Sequence, residues 1–331
     1  MPRRPRPPAP LPPRDGLGPA RVRMPVGSVD PEGQPWGRVV DFLVHLTGDP
    51  AGIDRRLTDG EIVLGDGSVV TAQTAYRPGG VVYLHRDLPP EVPVPFDVDV
   101  LLHDEDTGLL VVDKPPFLAT APRGGHVAQT VLVRLRRALD LPELAPAHRL
   151  DRLTSGVLLL TTRRAARGPY QRMVQEGGLS KTYEALAPVR PDLALPTTVV
   201  DRIVKERGDL RARVVPGAPN ARTHVDLLDE RDGHARYRLT PTTGRTHQLR
   251  VHLCGLGIPI VDDPLYPVVR EVHPTDFSAP LQLLAREVRF RDPVSRVERV
   301  VTSRRALPVP GAPAGPDGLA PSALPSRAGG V

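Results

Sequence analysis

Residues 148–160 join a charged turn directly to an apolar strand. The turn places one carboxylate, Asp151, between the side chains of Arg149 and Arg152. Residues 157–160 are valine and leucine only, and an unbroken apolar run of this kind predicts a strand that is buried on both faces. The chain therefore has to form a sheet in which a buried strand begins a few residues after an acidic side chain.

The segments around this strand predict an α+β fold, and residues 109–113 form a second apolar run. Alternating apolar and polar side chains predict antiparallel strands at 182–186, 223–228 and 236–240. Apolar residues at helical spacing predict helices at 127–139, 163–176 and 246–254. The second of these helices should break or kink at Gly168-Pro169. Because strands and helices follow in no regular order, we expect a mixed, mainly antiparallel sheet with flanking helices, and no doubly wound parallel sheet.

Composition divides the chain into four parts. A length of 331 residues suggests about two domains. Residues 1–30 and 306–331 are rich in proline and glycine, so we predict disordered tails there. The arginines of the first tail would add non-specific attraction to RNA, unless the tail is simply solvated. Residues 31–90 predict a small α+β module, and residues 91–305 predict the larger domain.

The composition also favours a polyanionic partner and a reducing compartment. With 44 Lys+Arg against 38 Asp+Glu the formal net charge is +6, and most of the cations are arginine, which binds phosphate bidentately. A genomic bias toward arginine would produce the same excess. The single cysteine, Cys254, excludes internal disulfides and multi-cysteine metal sites. We find no signal peptide and no apolar run long enough for a membrane span, so we expect a cytoplasmic protein without a membrane partner.

The surroundings of Asp151 suit a group that works in its ionised form. Nearby positive charge favours the charged state of a carboxylate, and an ionised carboxylate serves as a nucleophile or charge stabiliser better than as a proton donor. An aspartate held in a structural ion pair at the turn would give the same pattern. A serine-hydrolase elbow is excluded, because Ser155 does not lie in a Gly-x-Ser-x-Gly pattern.

Three histidines raise the question of a metal site. His247 and His252 are five residues apart, so on a helix they do not share a face as an i, i+4 zinc pair does. His148 has Asp151 close in sequence, but no cysteine or further carboxylate. We therefore expect structural histidines and no bound metal.

Five sequence blocks within residues 105–290 resemble those of the RluA-type pseudouridine synthases. They are Asp113-Lys-Pro-Pro-Phe-Leu118, His148-Arg-Leu-Asp-Arg-Leu-Thr-Ser-Gly156, Lys181-Thr-Tyr-Glu-Ala185, Gly244-Arg-Thr-His-Gln-Leu-Arg-Val-His-Leu253 and Pro259-Ile-Val-Asp-Asp-Pro-Leu-Tyr266. One block could arise by chance, whereas five in the family's order are highly specific. The resemblance implies an RNA pseudouridine synthase, an isomerase that acts on rRNA or tRNA without a cofactor or metal. We expect it to be a monomer.

The resemblance also assigns roles to individual side chains. In the implied reaction the uridine N-glycosidic bond breaks, the base turns, and C1′ is rejoined to C5. Asp151 is then the carboxylate at the sugar, which either attacks C1′ or takes part in proton abstraction at C2′. Arg245 matches the arginine that pairs with this aspartate, the alternative being a solvated arginine at a helix start. Tyr183 would stack on the flipped uracil or move a proton at C5, unless it is an ordinary strand aromatic.

Basic side chains near Asp151 are expected to bind the RNA. By resemblance, Arg149 fills the space that the flipped base leaves, and a simple phosphate contact or ion pair is the alternative. Arg152 and Lys181 are expected to contact phosphates, although a solvated protein face would also account for them.

The segment before this domain carries a second resemblance. Within residues 31–90, helices are predicted at 39–46 and 55–57, and short strands at 61–64, 69–70 and 81–84. This order is similar to the small S4 RNA-binding domain and implies a module that helps to dock RNA. The basic helix of such a domain is reduced here to Arg55 and Arg56.

The sequence departs from the family pattern at three places. Asp262 stands where the family has glycine, Pro267 follows Tyr266 in place of glycine, and residues 281–285 lack a histidine that is common in the family. These departures affect substrate choice and loop shape more than the reaction itself.

The residues around Asp151 disfavour two other functions. An RNA-binding assembly factor that keeps the fold without turnover would not need the intact set of Asp151, Tyr183 and Arg245. A hydrolase of nucleosides or glycosides needs a second acid beside Asp151, where the sequence supplies arginines instead.

Overall fold

The computed structural model describes residues 9–88 and 90–307. Predictions for residues 1–8 and 308–331 therefore lie outside the described residues. The chain divides into two compact units, Met1–Pro90 and Glu91–Val331. Within the described ranges, every helix is too short or too polar to span a bilayer.

The first unit combines a three-stranded antiparallel sheet with two helices. Its elements are β1 (Ala20–Arg23), α1 (Val39–Thr47), α2 (Pro50–Thr58), β2 (Ile62–Leu64) and β3 (Val81–Leu84). β3 lies between β1 and β2. Val39, Phe42 and Leu43 lie on one face of α1 and pack into a core that includes Val82 of β3. Both predicted helices are confirmed, and the likeness to an S4 domain stays a prediction.

Part of the predicted N-terminal tail is ordered. Ala20–Arg23 pairs with residues 81–84 of β3, and Met24 is 1% exposed in the core of this unit. The assignment of residues 1–30 to a disordered tail is therefore wrong for this stretch. The four residues of β1 contain no proline, so their N–H groups can enter a sheet, although the segment around them has the composition of a disordered tail.

The second unit contains the large sheet and three helices. Its strands are β4 (Asp99–Asp104), β5 (Leu109–Lys114), β6 (Ala145–Pro146), β7 (Ser155–Thr161), β8 (Leu179–Pro188), β9 (Thr197–Asp201), β10 (Ile203–Val204), β11 (Arg213–Val214), β12 (Ala221–Arg231), β13 (His234–Pro241), β14 (Leu283–Arg291) and β15 (Glu298–Thr302). Its helices are α3 (Val131–Leu139), α4 (Arg164–Gln175) and α5 (Gln248–Gly255).

Ten of these strands form one mixed sheet. The order is β4-β5-β7-β14-β8-β13-β12-β9, with β15 paired to β14 and β6 paired to β7. β14 runs parallel to β7, whereas the other pairings described in this sheet are antiparallel. The remaining two strands, β10 and β11, form a separate short hairpin. The predicted α+β fold with a mixed, mainly antiparallel sheet is confirmed.

Both faces of the central strands are covered, as their apolar sequences predicted. Val112 of β5 and Leu158 of β7 pack in the cluster that contains the buried face of α3. Their neighbours Val111 and Leu159 point the other way, into the cluster that contains the buried face of α4. A strand with an apolar cluster on each face cannot shift register without burying polar groups. The register of β7 therefore fixes the position of the residues just before it.

The central strand β14 was not predicted. Its first half, Leu283–Ala285, is buried on both faces, whereas its second half alternates between charged and apolar side chains. Neither the pattern of a buried strand nor that of a half-exposed strand fits the whole segment. Long-range pairing with β7 and β8 decides this element, and short windows of sequence do not contain that information.

The predicted break in the helix over 163–176 does not occur. α4 runs from Arg164 to Gln175 with Pro169 inside it. Proline lacks the N–H that would bond the carbonyl four residues earlier, on Ala165. Ala165 is exposed, so water can hydrate that carbonyl, while Ala166, Tyr170 and Met173 hold the helix on the sheet.

Candidate active site

A cleft in the second unit brings together most of the side chains that the sequence singled out. It has a volume of about 870 Å³ and lies between the turn before β7, the start of β8 and the segment that joins β13 to α5. Asp151, Tyr183 and Arg245 all line this cleft, as do Arg149 and Lys181. Residues distant in sequence thus meet at one place, which we call the Asp151 cleft.

Asp151 sits in a tight turn between two buried anchors. The Thr154 N–H donates to the Asp151 carbonyl at 3.2 Å, which closes the turn. Leu150 and Leu153 on either side are buried in the core, whereas the Asp151 side chain is 35% exposed and points into the cleft. The two buried leucines therefore anchor the turn, and the carboxylate between them faces the cleft.

A buried lysine fixes the backbone beside Asp151. The Lys114 ammonium, at the end of β5, donates to the carbonyls of Pro115 and Leu118 at 2.8 Å and to that of Arg152 at 3.1 Å. Burial lowers the pKa of Lys114 well below its usual value, and the nearby charge of Asp151 opposes this shift. Arg152 itself has an exposed side chain that does not line the cleft, so its backbone is its link to the site.

Gly156 allows β7 to approach β14. Its φ is +108°, and an added Cβ would lie 2.2 Å from the Ala285 carbonyl oxygen and 2.7 Å from the Ala285 nitrogen. Only a residue without a side chain fits this parallel pairing. Gly156 is therefore part of the sheet, and its close pairing with Ala285 brings the Asp151 turn beside β14.

Tyr183 forms part of the cleft wall. It lies on β8, is 8% exposed, and pairs across the sheet with Ala285 on one side and Leu239 on the other. Burial raises the pKa of Tyr183, and the charge of Asp151 raises it further. The side chain therefore offers a protonated phenol and a flat ring, and a phenolate would be unfavourable there.

Arg245 lines the cleft without reaching Asp151. Its Nε donates to the Asn220 carbonyl at 3.0 Å, and the ion pairs of the described residues do not join Arg245 to Asp151. The imidazole of His247 lies nearer, with its Nε2 4.0 Å from Asp151 Oδ2. The pairing that the resemblance implied is thus not formed in this structure, because the guanidinium is turned toward the end of the β11–β12 connection.

The sequence block that contains Arg245 also contains a buried arginine, Arg250, which was not singled out from the sequence. Arg250 is 2% exposed, and its Nε and Nη2 donate to both carboxylate oxygens of Asp263 at 2.7 and 2.6 Å. Its guanidinium also lies over the Tyr266 ring, 5.3 Å from the centroid. The sequence contained a signal for this burial. Arg245 precedes the predicted helix, whereas Arg250 lies within it between two apolar residues, which favours burial of Arg250.

The departure at Asp262 has a local structural counterpart. Asp262 adopts φ +59°, the left-handed region in which glycine is favoured and in which aspartate is better tolerated than most residues. The next residue, Asp263, accepts hydrogen bonds from the N–H groups of Leu265 and Tyr266. The ion pair with Arg250 is therefore held in place without glycine at position 262.

The predicted structural histidines differ in their surroundings. His148 accepts from the Leu159 N–H at 3.2 Å, and burial lowers its pKa to about 3, so its ring is neutral. His252 is 1% exposed and hydrogen-bonds Thr223 Oγ1 through Nδ1 at 2.8 Å. His247, by contrast, lines the cleft. No group of three or more His, Cys, Asp or Glu side chains within the described ranges could hold a metal ion.

Comparisons with known proteins place the chain in a class of RNA-modifying enzymes. A sequence model of the family described as RNA pseudouridylate synthase matches residues 108–254. An uncharacterized RNA pseudouridine synthase of Chloroflexus aurantiacus is 37% identical over 223 residues, which cover 64% of this chain and 69% of the relative. The chain therefore belongs to the RNA pseudouridine synthases, which are isomerases, and the predicted RluA-type membership is confirmed.

Two further comparisons give the breadth of the likeness. A protein of Pseudomonas aeruginosa named ribosomal large subunit pseudouridine synthase D is 28% identical over 63% of this chain and 67% of its own length. The structure of human RNA pseudouridylate synthase domain containing 1 superposes with a TM-score of 0.53 at 25% identity, over 72% of this chain and 94% of that chain. Coverage of curated relatives falls to 32% for a mouse pseudouridylate synthase, RPUSD2.

Proposed function

We propose that this protein isomerises uridine to pseudouridine in RNA, with Asp151 as the ionised catalytic group. The observation that carries this proposal is the convergence of Asp151, Tyr183 and Arg245 on one cleft from three separate sequence blocks. An RNA-binding factor without turnover has no need to hold a carboxylate in a lysine-pinned turn. A hydrolase with paired carboxylates is disfavoured, because Asp151 is the one carboxylate among the described residues that line the cleft.

The charge of the cleft supports an RNA substrate. Arg149 and Arg245 are exposed on its walls, and Lys181 is half-buried between them and Tyr183. Cations arranged around one carboxylate attract a phosphate backbone while leaving the acid directed at a single nucleotide. The volume of about 870 Å³ is in the range of sites that enclose one small ligand, here a single extruded nucleotide.

The placement of Arg149 supports base flipping. It is exposed two residues before Asp151, so its side chain can follow the phosphate path or fill the gap in the stack when the uridine leaves. Tyr183 offers its ring to the extruded uracil, a contact worth roughly 1–3 kcal/mol per base. Asp151 then acts at the sugar, either at C1′ or through the proton at C2′.

Large-subunit rRNA is the substrate that we propose first. The support is the name of the Pseudomonas relative, a ribosomal large subunit pseudouridine synthase, which matches over most of its own length. The cleft accepts one nucleotide, so the choice among uridines has to come from contacts of the surrounding RNA with the protein surface.

The proposal is tested with RNA that carries tritium at uridine C5. Isomerisation replaces the C5 hydrogen with the C1′ bond, so wild-type protein should release tritium to water. Asp151→Asn should abolish release while RNA binding survives, because the side chain keeps its shape but loses its charge. Asp192→Asn, an exposed aspartate in the same unit that pairs with Arg190, serves as the matched control and should stay active. Release by Asp151→Asn at the wild-type rate would contradict the proposal.

A further inference from the structure

His247 faces Asp151 from the start of α5. Its Nε2 lies 4.0 Å from Asp151 Oδ2, and its side chain is 12% exposed. The backbone of His247 is left-handed, with φ +57°, at the position that caps α5. Histidine is among the few residues enriched in this conformation. The helix start therefore determines where the imidazole lies, and it places one ring nitrogen toward the carboxylate.

Tyr266 holds the other ring nitrogen. Its Oη lies 3.0 Å from His247 Nδ1, and it accepts a hydrogen bond from the Ala212 N–H at 2.7 Å. The Ala212 carbonyl is a competing acceptor, 2.9 Å from the same hydroxyl. A phenol has one proton, so Tyr266 donates either to His247 or to Ala212. In the first case Nδ1 of His247 is an acceptor, and in the second it must carry a proton.

The charge of Asp151 favours the first of these two arrangements. A neutral imidazole carries a single proton, and that proton is more favourable on Nε2, where it faces a carboxylate, than on Nδ1. Burial lowers the pKa of His247; Asp151 and Asp263 oppose this shift, whereas Arg250 and Lys205 add to it. The neutral ring is thus the relevant form, and its tautomer matters.

We infer that His247 is a positioning residue that donates from Nε2 to the Asp151 carboxylate, and that Tyr266, by donating to Nδ1, stabilises the tautomer that makes this possible. The chain of donors runs from the Ala212 N–H to the Tyr266 hydroxyl, then to His247 Nδ1, and from His247 Nε2 to Asp151. Hydrogen bonds in empty active sites are often long and shorten when substrate binds, which the distance of 4.0 Å allows. A donor on Oδ2 leaves the second oxygen of Asp151 for the sugar.

This inference deepens the proposed role of Asp151 and rests on it. It also gives a function to the short β10–β11 hairpin, which contains Ala212 between its two strands. The hairpin is connected to the Asp151 carboxylate through the side chains of Tyr266 and His247, although the hairpin residues do not line the cleft.

Kinetics on the tritiated RNA test the inference with graded variants. His247→Met keeps the length of the side chain without a donor, and we expect kcat to fall about 10- to 100-fold with KM nearly unchanged. His247→Gln keeps an N–H donor and should retain more activity than His247→Met.

Tyrosine variants test the tautomer. Tyr266→Phe keeps the ring on Arg250 and removes only the hydroxyl, so kcat should fall while RNA binding stays intact. The matched control is Tyr237→Phe, which removes a buried hydroxyl that donates to the Pro188 carbonyl at 2.9 Å, outside the cleft. It should leave kcat unchanged. Wild-type kcat in His247→Met, or equal losses of kcat in His247→Gln and His247→Met, would overturn the inference.

A measurement without turnover separates this inference from the proposed function. Nitrogen-15 NMR of histidine-labelled protein reports which ring nitrogen carries the proton, and the His247 signals are assigned by their loss in His247→Gln. We expect the Nε2–H tautomer in wild-type protein and a shift toward Nδ1–H in Tyr266→Phe. An Nδ1–H tautomer in wild-type protein would refute the inference. Wild-type protein that releases no tritium would instead contradict the proposed function.

Discussion

At the scale of single residues, the Asp151 cleft depends on side chains that hold other side chains. Asp151 was recognisable from its sequence block, and so was Tyr183. The supporting contacts of Lys114 with the Arg152 carbonyl, and of Arg250 with Asp263, were not recognised. A sequence block shows which residue types are present. The position of each residue relative to the start of α5 decides that Arg250 is buried and Arg245 is exposed. The resemblance assigned Arg245 a contact with Asp151, whereas in the structure His247 faces this carboxylate, with Nε2 4.0 Å from Oδ2.

His148 gives a prediction for stability against pH. Its pKa in the folded protein is lowered to about 3 by burial, whereas in the unfolded chain it titrates near its ordinary value. The stabilisation that neutral His148 contributes is therefore complete above about pH 6.5 and is lost as pH falls toward the folded-state pKa. His148→Gln keeps an acceptor for the Leu159 N–H and does not titrate. Its free energy of unfolding should fall less between pH 7 and pH 4 than that of wild type.

Denaturant unfolding at several pH values measures this difference. His103→Gln is the control, because His103 is an exposed histidine on β4. It measures how much the loss of one surface imidazole changes the acid dependence of stability. An acid dependence of His148→Gln that coincides with that of wild type would show that His148 is not buried as a neutral ring.

At the scale of elements, the parallel contact of β7 with β14 sets the position of the Asp151 turn. β7 was predicted because four apolar residues in a row need no partner to be recognised. β14 was missed because its first half and second half have different patterns, and α4 was wrongly predicted to break because hydration of an exposed carbonyl is not visible in sequence. Local pattern thus gave the strands that are apolar throughout or that alternate regularly, whereas tertiary pairing decides β14.

Gly156→Ala tests this contact directly. The added Cβ would lie 2.2 Å from the Ala285 carbonyl oxygen, and φ of +108° is unfavourable for alanine. We expect a loss of about 3 kcal/mol or more in the free energy of unfolding, together with a loss of activity. Gly168→Ala is the matched control, because it lies in α4 with no atom within 4 Å of its Cβ position. It should stabilise the protein by up to about 1 kcal/mol. Equal stability of the two variants would contradict the proposed packing.

At the scale of the whole molecule, two compact units share a chain with a formal net charge of +6. The second unit contains the residues that match the family, and its first described residue, Glu91, coincides with the start that was predicted for the larger domain. The first unit was predicted less well at its beginning. Its first strand, Ala20–Arg23, lies in a segment whose composition resembles a disordered tail, and only pairing with β3 reveals it.

The charge of the whole molecule predicts a salt-dependent interaction with RNA. Each phosphate that a lysine or arginine neutralises releases counterions, so the affinity should fall steeply between low and physiological salt. Arg149→Ala should lower the slope of log affinity against log salt by about one contact if Arg149 binds a phosphate. An unchanged slope with lower kcat would instead support its role in filling the space left by the flipped base. Filter binding across a salt series distinguishes these two roles.

We propose above all that the Asp151 cleft converts uridine to pseudouridine in RNA. The most direct test uses large-subunit rRNA from a strain that lacks this protein, incubated with wild-type protein or with Asp151→Asn and then mapped for pseudouridine. We predict new pseudouridine at defined positions with wild-type protein, each also found in the parent strain, and none with Asp151→Asn. Pseudouridine formed equally by both proteins, or by neither in total cellular RNA, would contradict it.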